Sequence, residues 1–220
     1  MAAKTLLCIG IGGFAGLECP GPGASIARAL RAGANQPLRI VASGVDGVLA
    51  NAWLPGVADS LRTVPDAVQD PDGFADAILR LARTDRIVAY LPGSTAEVLA
   101  LARRHGSAFG MAHLAVPLPS WDTARRLTRV GQLQFLQELG IPTPPCQLAR
   151  GVAELRLVAD QIGYPAVILG KTSGAALANN RKEAEIEARR LGLEQGVLLR
   201  RLIQGDGFSA ALVGGSNGRM

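Results

Sequence analysis

The sequence predicts an α/β protein: a parallel, doubly wound sheet over residues 1–118, followed by an incomplete α+β module over residues 119–220. Three observations carry this. Short apolar runs closed by glycine or proline alternate with amphipathic stretches of helical period as far as residue 116. The texture changes at Val116-Pro-Leu-Pro-Ser120. Beyond it, a leucine-rich helical stretch leads into a β-α-β-β order of elements.

Thr5–Ile11 is a continuous apolar run ending in glycines, the pattern of a strand buried on both faces. Ala24–Ala32 is a helix with Ile26, Ala27 and Leu30 on one side, closed by Gly33. Leu38–Ser43 is a second strand, with Asp46 just past its end. Asp72–Thr84 places Phe74, Ile78, Leu81 and Ala82 on one helical face. Arg86–Leu91 is a further strand, and Ser94 or Thr95 caps a helix over Ala96–His105. Ala112–Val116 is the expected fourth strand.

In the second half, Thr123–Leu139 reads as one long helix, with Leu127, Val130, Leu133, Leu136 and Leu139 at three-residue steps and Gly140 as its stop. Ile141-Pro-Thr-Pro-Pro145 is extended. Val152–Ile162 is a helix, Ala166–Leu169 a strand, Gly170–Asn180 a small-residue loop, and Lys182–Leu191 a helix with its glutamates outward. Val197–Ile203 and Phe208–Val213 are strands around the turn Gln204-Gly-Asp-Gly207. The chain closes on Gly214-Gly-Ser-Asn-Gly, a hairpin-turn composition, so a further strand is expected and the module reads as truncated.

Composition excludes several classes. With 48% apolar residues, the 220-residue chain carries ample material for a core and is too apolar for disorder. The net charge of +5 comes almost wholly from arginines interspersed with acids, without a basic run or basic–aromatic alternation. A solvated surface is expected, and nucleic acid is not an expected partner. Cys8, Cys19 and Cys146 have no metal spacing, and with only His105 and His113 no zinc site is expected. The cysteine usage fits a reducing cytoplasm, and no apolar run reaches the length of a membrane span.

Gly10-Ile-Gly-Gly-Phe-Ala-Gly16 follows a strand, as a dinucleotide-binding glycine loop does. The following Leu-Glu-Cys-Pro-Gly-Pro segment delays the helix, however, and Asp46 lies too far along for the acidic ribose partner. A glycine turn that lets strand and helix pack is the favoured reading; a nicotinamide-dependent reductase is an alternative.

Three motifs occur in order: Gly140-Ile-Pro-Thr-Pro144 after a leucine helix, Ile162-Gly-Tyr-Pro165 leading into a strand, and Leu202-Ile-Gln-Gly205 after another strand. Their order and spacing resemble the ATP-grasp superfamily, in particular the carbamoyl-phosphate-synthetase-like carboxylate–amine ligases. The first half then resembles the Rossmann-like domain that precedes the grasp fold; a single Rossmann-like domain with a helical extension is the runner-up. The resemblance implies ATP and Mg²⁺ as cofactors, with a carboxylate activated as an acyl phosphate for attack by an amine. Cations and positioning carry such phosphoryl chemistry.

Carried over residue by residue, the resemblance implies these nucleotide-binding groups. Arg129 stands where the family has a phosphate lysine, keeping the charge as a planar fork. Leu169 occupies the place of the second phosphate lysine, and Lys171, two residues along and on the same face if the strand continues, is expected to substitute. Ser173 and Gly174 lie in the segment that matches the phosphate flap. The backbone of Arg201 and Ile203, ahead of Gly205, stands where the family reads adenine, while Gly207 replaces the ribose glutamate and Asp206 is adjacent. Arg200 and Arg201 are also expected to pair with the glutamates of the Lys182–Leu191 helix. The family's Mg²⁺ carboxylates fall beyond Met220, and no metal-ligand residues are assigned.

The expected parent activity is thus ATP-dependent carboxylate–amine ligation, with this chain inactive alone. The alternative is a non-catalytic ATP-grasp relative acting as a binding or assembly subunit. Expected partners are nucleotide, a small-molecule carboxylate or amine, and a second subunit or another copy of the chain, with no membrane partner.

Overall fold

The computed structural model describes residues 6–14, 21–47, 50–104, 106–126, 128–171 and 174–206. The chain divides into two compact units, Met1–Phe135 and Leu136–Met220.

The first unit is built on a four-stranded parallel sheet in the order β3-β2-β1-β4. β1 is Leu7–Ile11, β2 Leu38–Gly44, β3 Ser60–Thr63 and β4 Ala89–Leu91. β1 pairs with β2 in the register Ile9↔Ile40 and with β4 in the register Ile9↔Ala89. Residues alternate between two cores. Ile9, Ile11, Ile40 and Ala42 pack with Ala24 and Ala27 of helix α1 (Gly23–Gly33). Cys8, Val41 and Tyr90 face the opposite core with Phe74, Ile78 and Leu81 of α2 (Pro71–Thr84) and Leu101 of α3 (Thr95–Arg103). Burial on both faces is the physical reason that β1 and the centre of β2, Ile40–Ala42, read as apolar runs.

Caps explain the helix starts. The Asp70 side chain accepts the Gly73 amide ahead of Pro71, and Ser94 accepts the Glu97 amide. Ser94, rather than Thr95, is therefore the cap of α3.

Several sequence expectations change between residues 60 and 139. The strand expected over 86–91 begins only at Ala89, because Arg86 holds a left-handed φ of +55°. Ala112–Val116 forms no strand; Ala115 makes a single parallel bridge to Ala89. β3 and the short helix α4 (Gly106–Met111) were not expected. The long helix over 123–139 is two helices, α5 (Trp121–Arg125) and α6 (Arg129–Glu138). The break is made by Thr128, whose hydroxyl donates to the Arg125 carbonyl and accepts the Gly131 amide as a new start. Leu127 lies outside the described residues.

The second unit is an antiparallel sheet in the order β5-β8-β6-β7. β5 is Cys146–Ala149, β6 Ala166–Gly170, β7 Ala175–Ala178 and β8 Val197–Arg201. Helices α7 (Val152–Ile162) and α8 (Arg181–Arg190) cover one face, with Leu155, Val158, Ala159, Ile162, Ala184 and Ala188 meeting Ala166, Ile168, Val197 and Leu199. The Tyr164–Pro165 bond is cis. The small-residue loop expected over 170–180 contains β7: Ala175–Ala178 lacks β-branched residues, yet pairing with β6 across a tight turn, closed by Gly170 N–H to Gly174 O at 3.2 Å, holds it extended. The strand expected over 208–213 lies outside the described residues. No helix among the described residues is long and apolar enough to cross a membrane.

Candidate functional site

Alternation along the second sheet defines two faces. The face turned from α7 and α8 carries two rows that follow from the register. Leu148, Leu198, Leu169 and Ala175 stand in one row, and Cys146, Arg200, Val167 and Leu177 in the next. Leu198 is buried, Leu148, Val167 and Leu169 are half-buried, and Arg200 is exposed. An apolar row beside a guanidinium offers a platform for a flat, anionic ligand: aliphatic side chains against a ring, a fork of N–H donors for phosphate or carboxylate.

Arg200 is centred on this face, between Cys146 of β5 and Val167 of β6. Burial pushes the Cys146 thiol up in pKa, and the Arg200 charge works against that rise. The expected pairing of Arg200 with α8 is corrected here, since Arg200 points to the face opposite that helix. The α8 glutamates are engaged elsewhere. Glu183 accepts from Asn179 and Asn180, Glu185 binds Arg156 at 2.7 Å, and Glu187 binds Arg190 at 2.7 Å. The backbone amide of Asn179 comes first among the groups that hold the Glu183 carboxyl below its ordinary value, and the Arg156 bond does the same for Glu185.

Leu169 lies on the same face as Arg200, between Leu198 and Ala175. Lys171 is exposed but does not share a strand face with Leu169. β6 ends at Gly170, and Lys171 stands in the turn to β7. The expectation of a lysine displaced along one strand is therefore corrected to a lysine on a turn. Gly174 closes that turn at φ +77°. Ser173 lies outside the described residues.

At the other end of the sheet the chain leaves β8. The Arg201 amide donates to Pro145 O at 3.2 Å and the Leu202 amide to Pro165 O at 3.3 Å. The Arg201 N–H is thus committed within the fold and is withdrawn as a donor to a base. Ile203 follows, 65% exposed, and among the described residues no backbone carbonyl receives its amide. Gly205 has φ +147°, in the range glycine tolerates best. Arg129 opens α6 within the first unit and is half-buried. Gly207 lies outside the described residues.

Among the described residues no group of three or more His, Cys, Asp or Glu side chains gathers to hold a metal ion. No chemical step is assigned to a metal on these residues.

Sequence reasoning named the ends of this site, Lys171 and Ile203, but missed the face between them. The signal was present: Val167 and Leu169 alternate with Ala166 and Ile168, and Leu198 and Arg200 with Val197 and Leu199. Only the register shows that these alternations share one surface.

No family model matches the chain. It is 28% identical over 152 residues to a carbamoyl phosphate synthase large chain from Hyperthermus butylicus, a match covering 64% of this chain and 14% of that protein. Its fold is similar to the biotin carboxylase domain of the 2-oxoglutarate carboxylase of Hydrogenobacter thermophilus, solved with MgADP, ADP and bicarbonate. That match has TM-score 0.56 and 18% identity, and covers 89% of this chain and 44% of the other. The fold is also similar to an N5-carboxyaminoimidazole synthase from Aspergillus clavatus in complex with ADP and 5-aminoimidazole ribonucleotide, with TM-score 0.56, 18% identity and 89% and 46% of the two chains covered. The chain thus spans less than half the length of these relatives.

Proposed function

From the premise that this chain is a carbamoyl-phosphate-synthetase-like relative of the ATP-grasp proteins, we propose that it carries the nucleotide-facing part of an ATP-dependent carboxylate–amine ligase. The first unit is read as the Rossmann-like domain that precedes the grasp. In the parent reaction, a carboxylate oxygen attacks the terminal phosphorus of ATP and ADP leaves. The amine then attacks the acyl phosphate carbonyl, the carbon–nitrogen bond forms, and inorganic phosphate departs with the bonding electrons.

The observation that carries the reading is the arrangement of the second sheet. The Leu148–Leu198–Leu169 row offers an apolar bed, and the Ile203 amide and carbonyl lie just past β8, suited to reading a base edge. Lys171, on the turn after β6, is suited to the phosphates. From Val167, the partner of Arg200, to the end of β6 at Gly170 the strand runs about 10 Å at roughly 3.3 Å per residue, with Lys171 just beyond it, a span suited to a nucleotide laid along the strands. Gly174 closes the turn after β6 and Gly205 follows β8, while Ser173 and Arg129 are assigned to the phosphates by resemblance alone.

Leu169 stands in the place of a phosphate cation and no Mg²⁺ carboxylates are assigned to this chain, which supports the reading that it binds ATP weakly and does not turn it over. Leu169 equally favours the second reading, a non-catalytic binding or assembly subunit. Titration calorimetry with ATP and Mg²⁺ tests the proposal. The expected affinity is about millimolar, weakened several-fold by Lys171→Ala and by Arg200→Ala. Binding unaffected by both variants refutes the site. ATP hydrolysis or ligation by the chain alone refutes the inactivity.

A further inference from the structure

In the first unit the strand order reverses between β1 and β4, because β1 continues through β2 to β3 on one side while β4 lies on the other. Open parallel sheets take their ligands at such a reversal, beyond the carboxyl ends of the strands. Two loops meet here: Gly12-Gly13 after β1 and Pro92-Gly93-Ser94 after β4. The Gly12 amide donates to Leu91 O at 3.0 Å and ties them together.

Glu97, in the first turn of α3, turns its side chain back into this junction and is 9% exposed. One carboxylate oxygen accepts the Gly13 amide at 2.9 Å and the other accepts the Gly93 amide at 2.7 Å. Acceptance at both oxygens is the pattern of an ionised carboxylate. Burial raises the pKa of this group, and the amides of Gly93, Gly13 and Ser94 act in the opposite direction.

The glycines fit this carboxylate. A Cβ on Gly12 would overlap the Glu97 Oε2 and stand 2.6 Å from the Tyr90 hydroxyl. Gly13 has φ +73°, and a Cβ on it would stand 2.6 Å from Gly93 Cα. A Cβ on Gly93 would stand 2.6 Å from Gly13 Cα. The room these positions leave is taken by two backbones in contact and by one carboxylate.

We infer that Gly12, Gly13, Gly93 and Glu97 form an anion site whose anion is the protein's own side chain: α3 fills the two amides that a ligand phosphate would take, and fastens the loop after β4 to the loop after β1. The glycine run therefore closes a phosphate site. This sets aside the nicotinamide alternative, and it makes the ligand class explicit: with the side chain removed, the junction accepts a small oxyanion such as acetate or formate.

The test is Glu97→Ala in the full chain, followed by thermal unfolding in acetate, in acetamide and in chloride at matched ionic strength. Acetate is expected to raise the midpoint of the variant saturably, on the order of 2–4 °C, while acetamide and chloride do not, and the wild type is expected not to respond. Acetate acting no better than chloride on the variant overturns the inference. Should the alanine variant not fold, amide hydrogen exchange on the wild type and on Glu97→Gln decides. Wild-type Gly13 and Gly93 amides are expected to be protected, and the glutamine, which offers one acceptor oxygen, is expected to cost one of them about tenfold in protection. Wild-type amides exchanging as an open loop, or shifting on addition of NADH, overturn it. ATP responses at residues 146–206 are read separately, so failure of the ligase reading leaves this result intact.

Discussion

Replacing Asp85 with Asn probes the N-terminal edge of the parallel sheet. Asp85 follows α2 and is almost wholly buried. Its two oxygens receive a fork from Arg62 of β3, Nε at 2.9 Å and Nη2 at 2.6 Å. Arg39 of β2 adds a bond at 3.3 Å and the Thr84 hydroxyl one at 3.2 Å. One carboxylate thereby joins the end of α2 to two strands. Breaking a fully buried pair costs about 3–5 kcal/mol. Here the Arg39 and Arg62 side chains are 37% and 41% exposed, so water takes up part of what the guanidiniums lose. The expected loss for Asp85→Asn at pH 7 is therefore about 2–3 kcal/mol, a midpoint drop of about 4–12 °C for a chain of this size.

The pH dependence has a definite sign. Burial pushes the Asp85 carboxyl up, but the Arg62 hydrogen bonds and charge, with Thr84 and Arg39, outweigh it and hold the group below its ordinary value. A carboxyl lowered in the folded state contributes stability above the unfolded pKa and loses it as pH falls through the folded one. The gap between wild type and Asp85→Asn is expected to be full at pH 5–7 and to close below about pH 4. Urea unfolding followed by circular dichroism across that range measures it. A variant within about 0.5 kcal/mol of wild type at pH 7, or a gap undiminished in acid, refutes the reasoning.

Gly12→Ala places a methyl group on the Glu97 carboxylate and the Tyr90 hydroxyl, and is expected to lower stability by more than about 2 kcal/mol, read from urea midpoints. Gly33→Ala, where a Cβ meets nothing within 4 Å, is its control, expected to stay within about 1 kcal/mol of wild type. Asn180→Ala removes the cap whose side chain accepts the Glu183 amide at 3.0 Å and is expected to cost about 1 kcal/mol. Tyr90→Phe deletes a buried hydroxyl 2.8 Å from Ser43 Oγ, and about 1 kcal/mol is expected in thermal unfolding because Ser43 keeps its bond to Ile11 O.

Much of the first unit was legible in the chain itself. Leu7–Ile11 and Leu38–Gly44 were legible as strands because a parallel strand is buried on both sides and its central residues, Cys8–Ile11 and Ile40–Ala42, are accordingly apolar or small. α2 was legible because Phe74, Ile78 and Leu81 repeat with the helical period between the Asp70 cap and the end of the pattern. These signals are local, and local chemistry writes them. β3 and β7 escaped because Ser60–Thr63 and Ala175–Ala178 carry no periodic pattern, and partners distant in sequence, or a tight hairpin, hold them extended. The two-helix split turned on one hydroxyl of Thr128.

The sites divide in the same way. The glycine cluster was visible in sequence, but its meaning was not, because Glu97 lies 84 residues from Gly13 and only the fold carries its carboxylate there. Arg200 was likewise visible as a charge and misassigned to α8. A strand residue shows alternation along its own chain, and which alternate meets the helices is decided by register across β5, β8 and β6. Composition and period determine which segments are strands and helices and which of their faces are apolar. Juxtaposition across the sheet decides which polar groups meet, because hydrogen bonds and charge act over a few ångströms in space without regard to separation along the chain.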